Sequence, residues 1–199
     1  MKQEQELKLT ITKNHFLELK KELQLEKEQH RNIYYDSLPN KKFAANGSTF
    51  RIRIYPDCKN KKPVLTLKIE KKKEDGLRSC EEIERTINPK STLLIKNRIE
   101  KNDLGRKLHN QFVDFGIRSV KKLGSLTTIR HKTKLKGVKI EIDHAKLNKE
   151  EEFFEVECEN ENPPARQTVK KALFKKFNEH GIKKSNKSKY ERFLGWYEQ

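Results

Sequence analysis

The chain has 199 residues, with 46 Lys+Arg against 29 Asp+Glu and a formal net charge of +17 at pH 7. That length suits a single domain, read here as residues 1–199, and although charged residues (38%) outnumber hydrophobic ones (33%), periodic apolar segments run from end to end, which excludes a disordered chain. No stretch approaches the roughly 20 apolar residues of a membrane span, and Met1-Lys2-Gln3-Glu4-Gln5-Glu6 contains no apolar signal core. Cys58, Cys80 and Cys158 are too far apart for a CxxC pair, and their odd number argues against a disulfide framework. The expectation is a soluble, cytoplasmic protein with a polyanionic partner. Walker A, GxGxxG and HExxH patterns are all absent, so any phosphate must be held by side chains.

In chain order, residues 4–11 alternate, with Glu4, Glu6 and Lys8 on one face and Leu7, Leu9 and Ile11 on the other, which predicts a strand. Thr12 or Asn14 can cap a helix carrying Phe16, Leu19 and Leu23 to about Lys27. Strands follow at 31–37, 49–55, 64–70 and 77–87; in the second of these Arg51 and Arg53 oppose Phe50, Ile52 and Ile54. Residues 89–116 read as two short helices without a usable motif. Residues 120–133 and 137–145 form a strand pair across the turn 134–137, and 153–159 alternate once more. Asn162-Pro163-Pro164 opens a helix to about His180. A basic loop at 183–189 leads into a short aromatic segment with Tyr190, Phe193, Trp196 and Tyr197. About eight mostly antiparallel strands with three or four helical insertions make an α+β fold.

The polar faces of these strands carry like-charge doublets at spacing two. Glu4/Glu6, Glu82/Glu84, Glu141/Asp143 and Glu155/Glu157 are acidic; Arg51/Arg53 and Arg130/Lys132 are basic. A solvated face mixes signs more often, because like charges pointing the same way repel. Carboxylate doublets suit hard divalent cations, and arginine doublets suit phosphate oxygens, which they clamp in forked geometry. Helices bearing Phe16, Leu19 and Leu23, and Val169, Leu173 and Phe177, can cover the apolar faces from outside. The result is a barrel with a charged lumen, fit for a polyphosphate and its metal ions.

Glu4-x-Glu6-x-Lys8 at the N-terminus resembles the ExExK signature of the CYTH superfamily, the triphosphate tunnel metalloenzymes. Tyr34-Tyr35-Asp36-Ser37 is similar to that family's second strand, Phe50-Arg51-Ile52-Arg53 to its LRIR strand and Leu65-Thr66-Leu67-Lys68 to its LTLK strand. Arg78 with Glu82-x-Glu84 resembles its RxxxExE segment. Leu126-Thr127-Thr128-Ile129-Arg130 resembles its late basic strand, Ile140-Glu141-Ile142-Asp143-His144 its LDH/LDR strand and Phe154-Glu155-Val156-Glu157 its final strand. Lys187-Ser188-Lys189-Tyr190-Glu191-Arg192-Phe193 is similar to the C-terminal SKxxRF element of the bacterial branch. The resemblance implies an eight-stranded antiparallel β-barrel, a tunnel with helices packed outside, that binds a linear triphosphate and divalent metal and then hydrolyses or cyclises the triphosphate. It implies that Lys8, Arg51, Arg53, Lys68, Arg130, Lys132 and Lys189 hold the phosphates, with Lys187 as the alternative to Lys189. Glu4, Glu6, Glu155, Glu157 and Asp143 would ligate metal, two Mg²⁺ or Mn²⁺ ions. Arg78, Glu82, Glu84 and Glu141 would support, and Lys8, Glu155 and Glu157 would carry catalysis. Lys132 stands where the family pattern has an arginine, which keeps the charge and loses the fork.

The expected function is metal-dependent hydrolysis, and tripolyphosphate is favoured because no aromatic pair is clearly placed to hold a base. Thiamine or nucleoside triphosphates, or cyclisation of ATP, are the alternatives on the same fold. A non-enzymatic polyanion or nucleic-acid binder is the alternative of another class, resting on Lys71-Lys72-Lys73 and Lys183-Lys184 near Tyr190 and Trp196; it leaves the acidic doublets unexplained. The expected partner is a small-molecule triphosphate, with no specific nucleic acid and no membrane, on a monomer or homodimer.

Overall fold

The computed structural model describes residues 2–74, 77–94, 96–147, 151–159, 162–178 and 180–198, without the side chains of residues 2–5, 72–74, 77, 78 and 92. The chain runs through β1 (Lys2–Ile11), α1 (Lys13–Glu22), β2 (Glu26–Asp36), α2 (Lys42–Ala45), β3 (Ser48–Ile54), β4 (Val64–Glu74) and β5 (Leu77–Thr86). It continues with β6 (Arg98–Glu100), α3 (Arg106–Asp114), β7 (Ser119–Leu135), β8 (Val138–Lys146), β9 (Glu152–Glu159), α4 (Pro163–Lys176), β10 (Lys183–Lys184) and α5 (Lys189–Tyr197). Eight of the strands form an antiparallel ring in the order β1-β5-β4-β3-β2-β7-β8-β9, and β9 returns to β1. Closure leaves no open edge in the ring and gives every strand an inside and an outside. Among the described residues, no helix is long and apolar enough to cross a membrane.

The apolar face of each strand points outward, and helices cover it. Leu7, Leu9, Ile140, Ile142 and Val156 pack under Phe16 and Leu19 of α1 and Val169 and Leu173 of α4. Phe50, Ile52, Leu65 and Leu67 pack under Phe43 of α2 and Leu108 and Phe112 of α3. The third cluster joins Tyr34, Leu126 and Ala145, which share the inward parity of the barrel, to Tyr190 and Phe193 of α5. α5 thus packs an aromatic plug against one end of the lumen. Gly124 of β7 makes room for it, since a Cβ there would stand 2.9 Å from Phe193 Cζ.

The eight-stranded barrel agrees with the sequence reading, and several boundaries differ. α1 stops at Glu22 instead of continuing to Lys27, and β2 begins at Glu26, five residues earlier than expected. Glu26 to His30 pair with Lys132 to Thr128 of β7; residues 26–29 are polar on both faces and so carry no alternation to read. The segment 89–116 contains two 3₁₀ turns, Thr92–Leu94 and Lys101–Asp103, together with β6 and α3, so a strand interrupts the two expected helices. Lys183 and Lys184 of the basic loop pair with Thr10 and Leu9 as β10. The α4 helix ends at Lys176, short of His180. The closing aromatic segment is a helix, capped reciprocally by Ser188 and Glu191. The β7–β8 turn narrows to Lys136-Gly137, with φ 51 and 78, as a two-residue hairpin loop requires.

Candidate active site

The inward faces enclose a cavity of about 470 Å³. Among the described residues its wall carries eight basic and eight acidic side chains, and the strand register sets four of the basic ones directly across from a carboxylate. Lys8 lies across from Glu157, Lys68 from Glu82, Arg130 from Asp143 and Lys132 from Glu141. Cross-strand pairs of opposite sign attract, and Lys8 with Glu157 and Arg130 with Asp143 do so out of water.

The densest part is a buried cluster at the β1–β9–β8 wall. Lys189 Nζ, delivered by the first residue of α5, lies 2.6 Å from Glu157, 2.8 Å from Asp143 and 2.9 Å from Glu155. Lys8 Nζ lies 2.7 Å from Glu157 and 3.4 Å from Glu6. Arg130 forks onto Asp143 at 2.9 and 2.7 Å, reaches Glu157 at 2.6 Å and also pairs with Glu141. Burial by itself would raise the Glu157 carboxyl, but Lys189, Lys8 and Arg130 hold it well below the usual range. Burial by itself would lower the Lys189 ammonium, but Asp143, Glu155 and Glu157 lift it well above the usual lysine value. Glu141 moves the other way, raised by burial and by Glu157 and Asp143 despite Arg130.

Arg51 and Arg53 stand apart from this network. Among the described residues, the other six cations of the wall each have a carboxylate partner, whereas neither of these arginines does. Arg51 lies across from Tyr34 and Thr66, and Arg53 across from Asn32 and Val64, all neutral. Burial and the facing Arg51 and Arg130 guanidiniums push Arg53 below its ordinary value, so an arriving anion relieves an existing repulsion.

Of the residues singled out from sequence, Glu6, Lys8, Arg51, Arg53, Lys68 and Glu82 line this cavity, as do Glu84, Arg130, Lys132, Glu141, Glu157 and Lys189. Asp143 and Glu155 do not; both are fully buried behind the wall as counter-charges of Arg130, Lys189 and Arg192. Between the two C-terminal lysines, Lys189 is in the cavity wall and Lys187 is exposed. The side chains of Glu4 and Arg78 lie outside the described set; their backbones sit on β1 and β5.

Sequence reasoning gave no role to several residues in the wall or behind it. Glu28 accepts from Lys61 and, at 3.2 Å, from Lys132, and it lay between the helix expected to about Lys27 and the strand expected from residue 31. Tyr55 lines the cavity with the Lys61 ammonium 4.0 Å over its ring. Asp36 accepts from the backbone amides of Ser37, Phe43 and Ala44 and from the Tyr190 hydroxyl at 2.9 Å, which ties α5 to β2. Arg192 bonds Glu155 and Ser185. For α5 a signal was present in Ser188-x-x-Glu191, a capping box; for Glu28 and Tyr55 nothing local marks the role.

A family model described as CYTH domain matches residues 2–194. No curated protein matches the sequence. Among solved structures, the chain is similar to HpAC1 from Hippeastrum, a candidate adenylyl cyclase described as revealing a dominant triphosphatase activity; the TM-score is 0.79 at 23% identity, covering 97% of this chain and 96% of that one. A candidate adenylate cyclase from Bacillus halodurans superposes with a TM-score of 0.74 at 20% identity, covering 98% of this chain and 100% of that one. The PH1819 protein of Pyrococcus horikoshii gives 0.61 at 22% identity, covering 96% and 99%. At these identities the likeness is one of fold.

Proposed function

The chain belongs to the CYTH domain family, and from that premise we propose that it is a divalent-metal-dependent triphosphatase acting on a linear triphosphate, inorganic tripolyphosphate first, within the barrel. The observation that carries this reading is the pair of arginines, Arg51 and Arg53, that among the described residues have no carboxylate partner in a cavity whose other described cations are paired. They offer forked donors to phosphate oxygens. Lys8, Lys68, Arg130, Lys132 and Lys189 stand around them in the same wall and hold the remainder of the chain of phosphates.

Charge balance supports a metal requirement. With eight acidic groups set against eight basic ones, the described wall has no surplus to neutralise a triphosphate. Among the described residues no three His, Cys, Asp or Glu side chains stand ready as a cage, because the cations occupy the carboxylates. The donor chemistry nevertheless fits: Glu6 and Glu157 present hard oxygen donors to the cavity, and they, with Glu4 of the same strand, would hold Mg²⁺ or Mn²⁺, two ions in this reading. When bound there, such ions supply neutralisation of phosphate charge and a lowered pKa for water. Asp143 and Glu155 keep Arg130 and Lys189 in place instead of ligating metal.

Among the described residues three aromatic side chains line the cavity, Tyr34, Tyr55 and Tyr190; Tyr34 packs on Tyr190 and Phe193 and Lys61 covers the Tyr55 ring, which favours the substrate that is all phosphate over nucleoside or thiamine triphosphates and over cyclisation. The test is a panel of tripolyphosphate, ATP, GTP and thiamine triphosphate with Mg²⁺ or Mn²⁺, read for released phosphate and for cyclic nucleotide. Tripolyphosphate turnover that stops in excess chelator is expected. Full turnover in chelator overturns the metal assignment, and cyclic nucleotide as main product overturns hydrolysis.

A further inference from the structure

We propose that the inner face of β2 is kept uncharged at His30, Asn32 and Tyr34 so that Arg51 and Arg53 stay unpaired for an incoming oxyanion, with Asn32 as the residue that aims Arg53. This rests on the reading of the cavity as a phosphate site. The same strand carries carboxylates at Glu26 and Glu28, where Lys132 and Lys61 face it. The next three inward positions are His30, Asn32 and Tyr34, all fully buried, and there the strand runs beside Arg53 and Arg51. A carboxylate at any of them would close an internal ion pair, as it does at every other described cation of the wall.

Arg53 is held there by a neutral dipole instead of a charge. Arg53 Nε donates to Asn32 Oδ1 at 3.0 Å, which fixes the plane of the guanidinium and leaves its terminal nitrogens to the cavity. Burial, then Arg53, Arg130 and Arg51, hold the His30 imidazole far below its ordinary value, so it adds no competing charge. Burial keeps the Tyr34 phenol protonated. Among the described residues, both His30 ring nitrogens, Asn32 Nδ2, Tyr34 Oη, Thr128 Oγ1 and Arg51 Nε are buried without a hydrogen-bond partner. Thr128 lies across from His30 on β7. So many unpaired polar atoms on one wall mark a surface built for a guest with oxygens to share, either an oxyanion or the water it brings.

Asn32→Asp keeps the oxygen that accepts from Arg53 and adds the missing charge. The probe is tungstate, an oxyanion that cannot be hydrolysed, measured by calorimetry alongside urea unfolding and tripolyphosphate turnover. Asn32→Asp should bind tungstate about tenfold or more weakly than wild type while its urea midpoint stays equal or rises. Asn32→Ala should lose less affinity and shift the midpoint down. A merely structural role would move stability and affinity together. His30→Glu sets the same charge beside the same arginines should Asn32→Asp fail to fold. Tungstate affinity of Asn32→Asp within about twofold of wild type, or a wild type that binds no tungstate, overturns the proposal. Tungstate binding without turnover of any triphosphate overturns the functional reading alone.

Discussion

Arg51 and Arg53 are the residues at which stability and function separate. Neither has a carboxylate partner among the described residues, so neither Arg51→Met nor Arg53→Met breaks an ion pair; Arg51→Met should leave the urea midpoint unchanged or higher, while Arg53→Met, which also removes the bond to Asn32, should lower it by no more than one hydrogen bond is worth, about 1 kcal/mol. Each should weaken triphosphate binding by about 1.5–3 kcal/mol, the range for hydrogen bonds to charged groups. Lys62→Ala, in the exposed loop before β4, should change neither; equal losses at all three positions would point to a diffuse polyanion surface. Glu157 behaves in the opposite way. Three cations converge on it, so Glu157→Gln leaves buried charge uncompensated and should cost about 3–5 kcal/mol of stability along with activity. Lost turnover in that variant therefore does not isolate a metal ligand. The same residue sets an acid limit. Its carboxyl is held well below the ordinary 4.5 in the folded protein, so its contribution is present above that value and is lost as pH falls below it towards the folded value. Lys189, raised well above 10.5, contributes fully below that value and loses its contribution as pH rises through the folded value. Urea midpoints measured across pH should fall off at both ends, and Glu157→Gln should flatten the acid side.

At the scale of elements, α5 performs two tasks: Lys189 enters the charged cluster, and Tyr190 and Phe193 plug the lumen. Its N-terminus is fixed by Ser188 Oγ accepting from Glu191 N at 3.0 Å. Ser188→Ala should cost about 1 kcal/mol and, because Lys189 is the next residue, raise KM for triphosphate more than it lowers kcat. Gly124 reports on the same seat. Gly124→Ala drives a methyl into the Phe193 ring and should cost about 1–3 kcal/mol, the usual penalty of overpacking. Phe193→Leu introduced with it should recover part of that loss in a double-mutant cycle; purely additive losses would place the strain elsewhere.

For the molecule as a whole, charge divides unevenly. The described cavity wall is balanced, eight against eight, so the formal +17 belongs to the rest of the chain. Residues 85–122 hold ten Lys and Arg against three Asp and Glu. There Arg106, Lys107, Arg118, Lys121 and Lys122 are exposed. The basic excess therefore lies outside the described lumen wall. Short DNA should bind this exterior without sequence preference and be released steeply by salt, while tripolyphosphate, seated inside, should not displace it at concentrations that saturate turnover. Mutual displacement at low concentration would mean a shared site.

Alternation of charge and apolar residues over 4–11, 49–55 and 137–145 was enough to predict strands, an ionic inner face and an outer face for helices, because a two-residue period assigns each side chain to one face. The ordered motifs extended this to the barrel and to most of the residues that line the cavity. What the sequence could not supply was pairing across strands. That Arg51 meets Tyr34 and Thr66 while Arg130 meets Asp143 depends on register, which is set by closure of the ring and not by neighbours in the chain. The same holds for Asp143 and Glu155, for which the family resemblance implied a metal-ligand role and which the structure places as buried counter-charges where α5 brings Lys189 and Arg192 to them. Local pattern decides which way a side chain points, and only the closed barrel decides what it meets there.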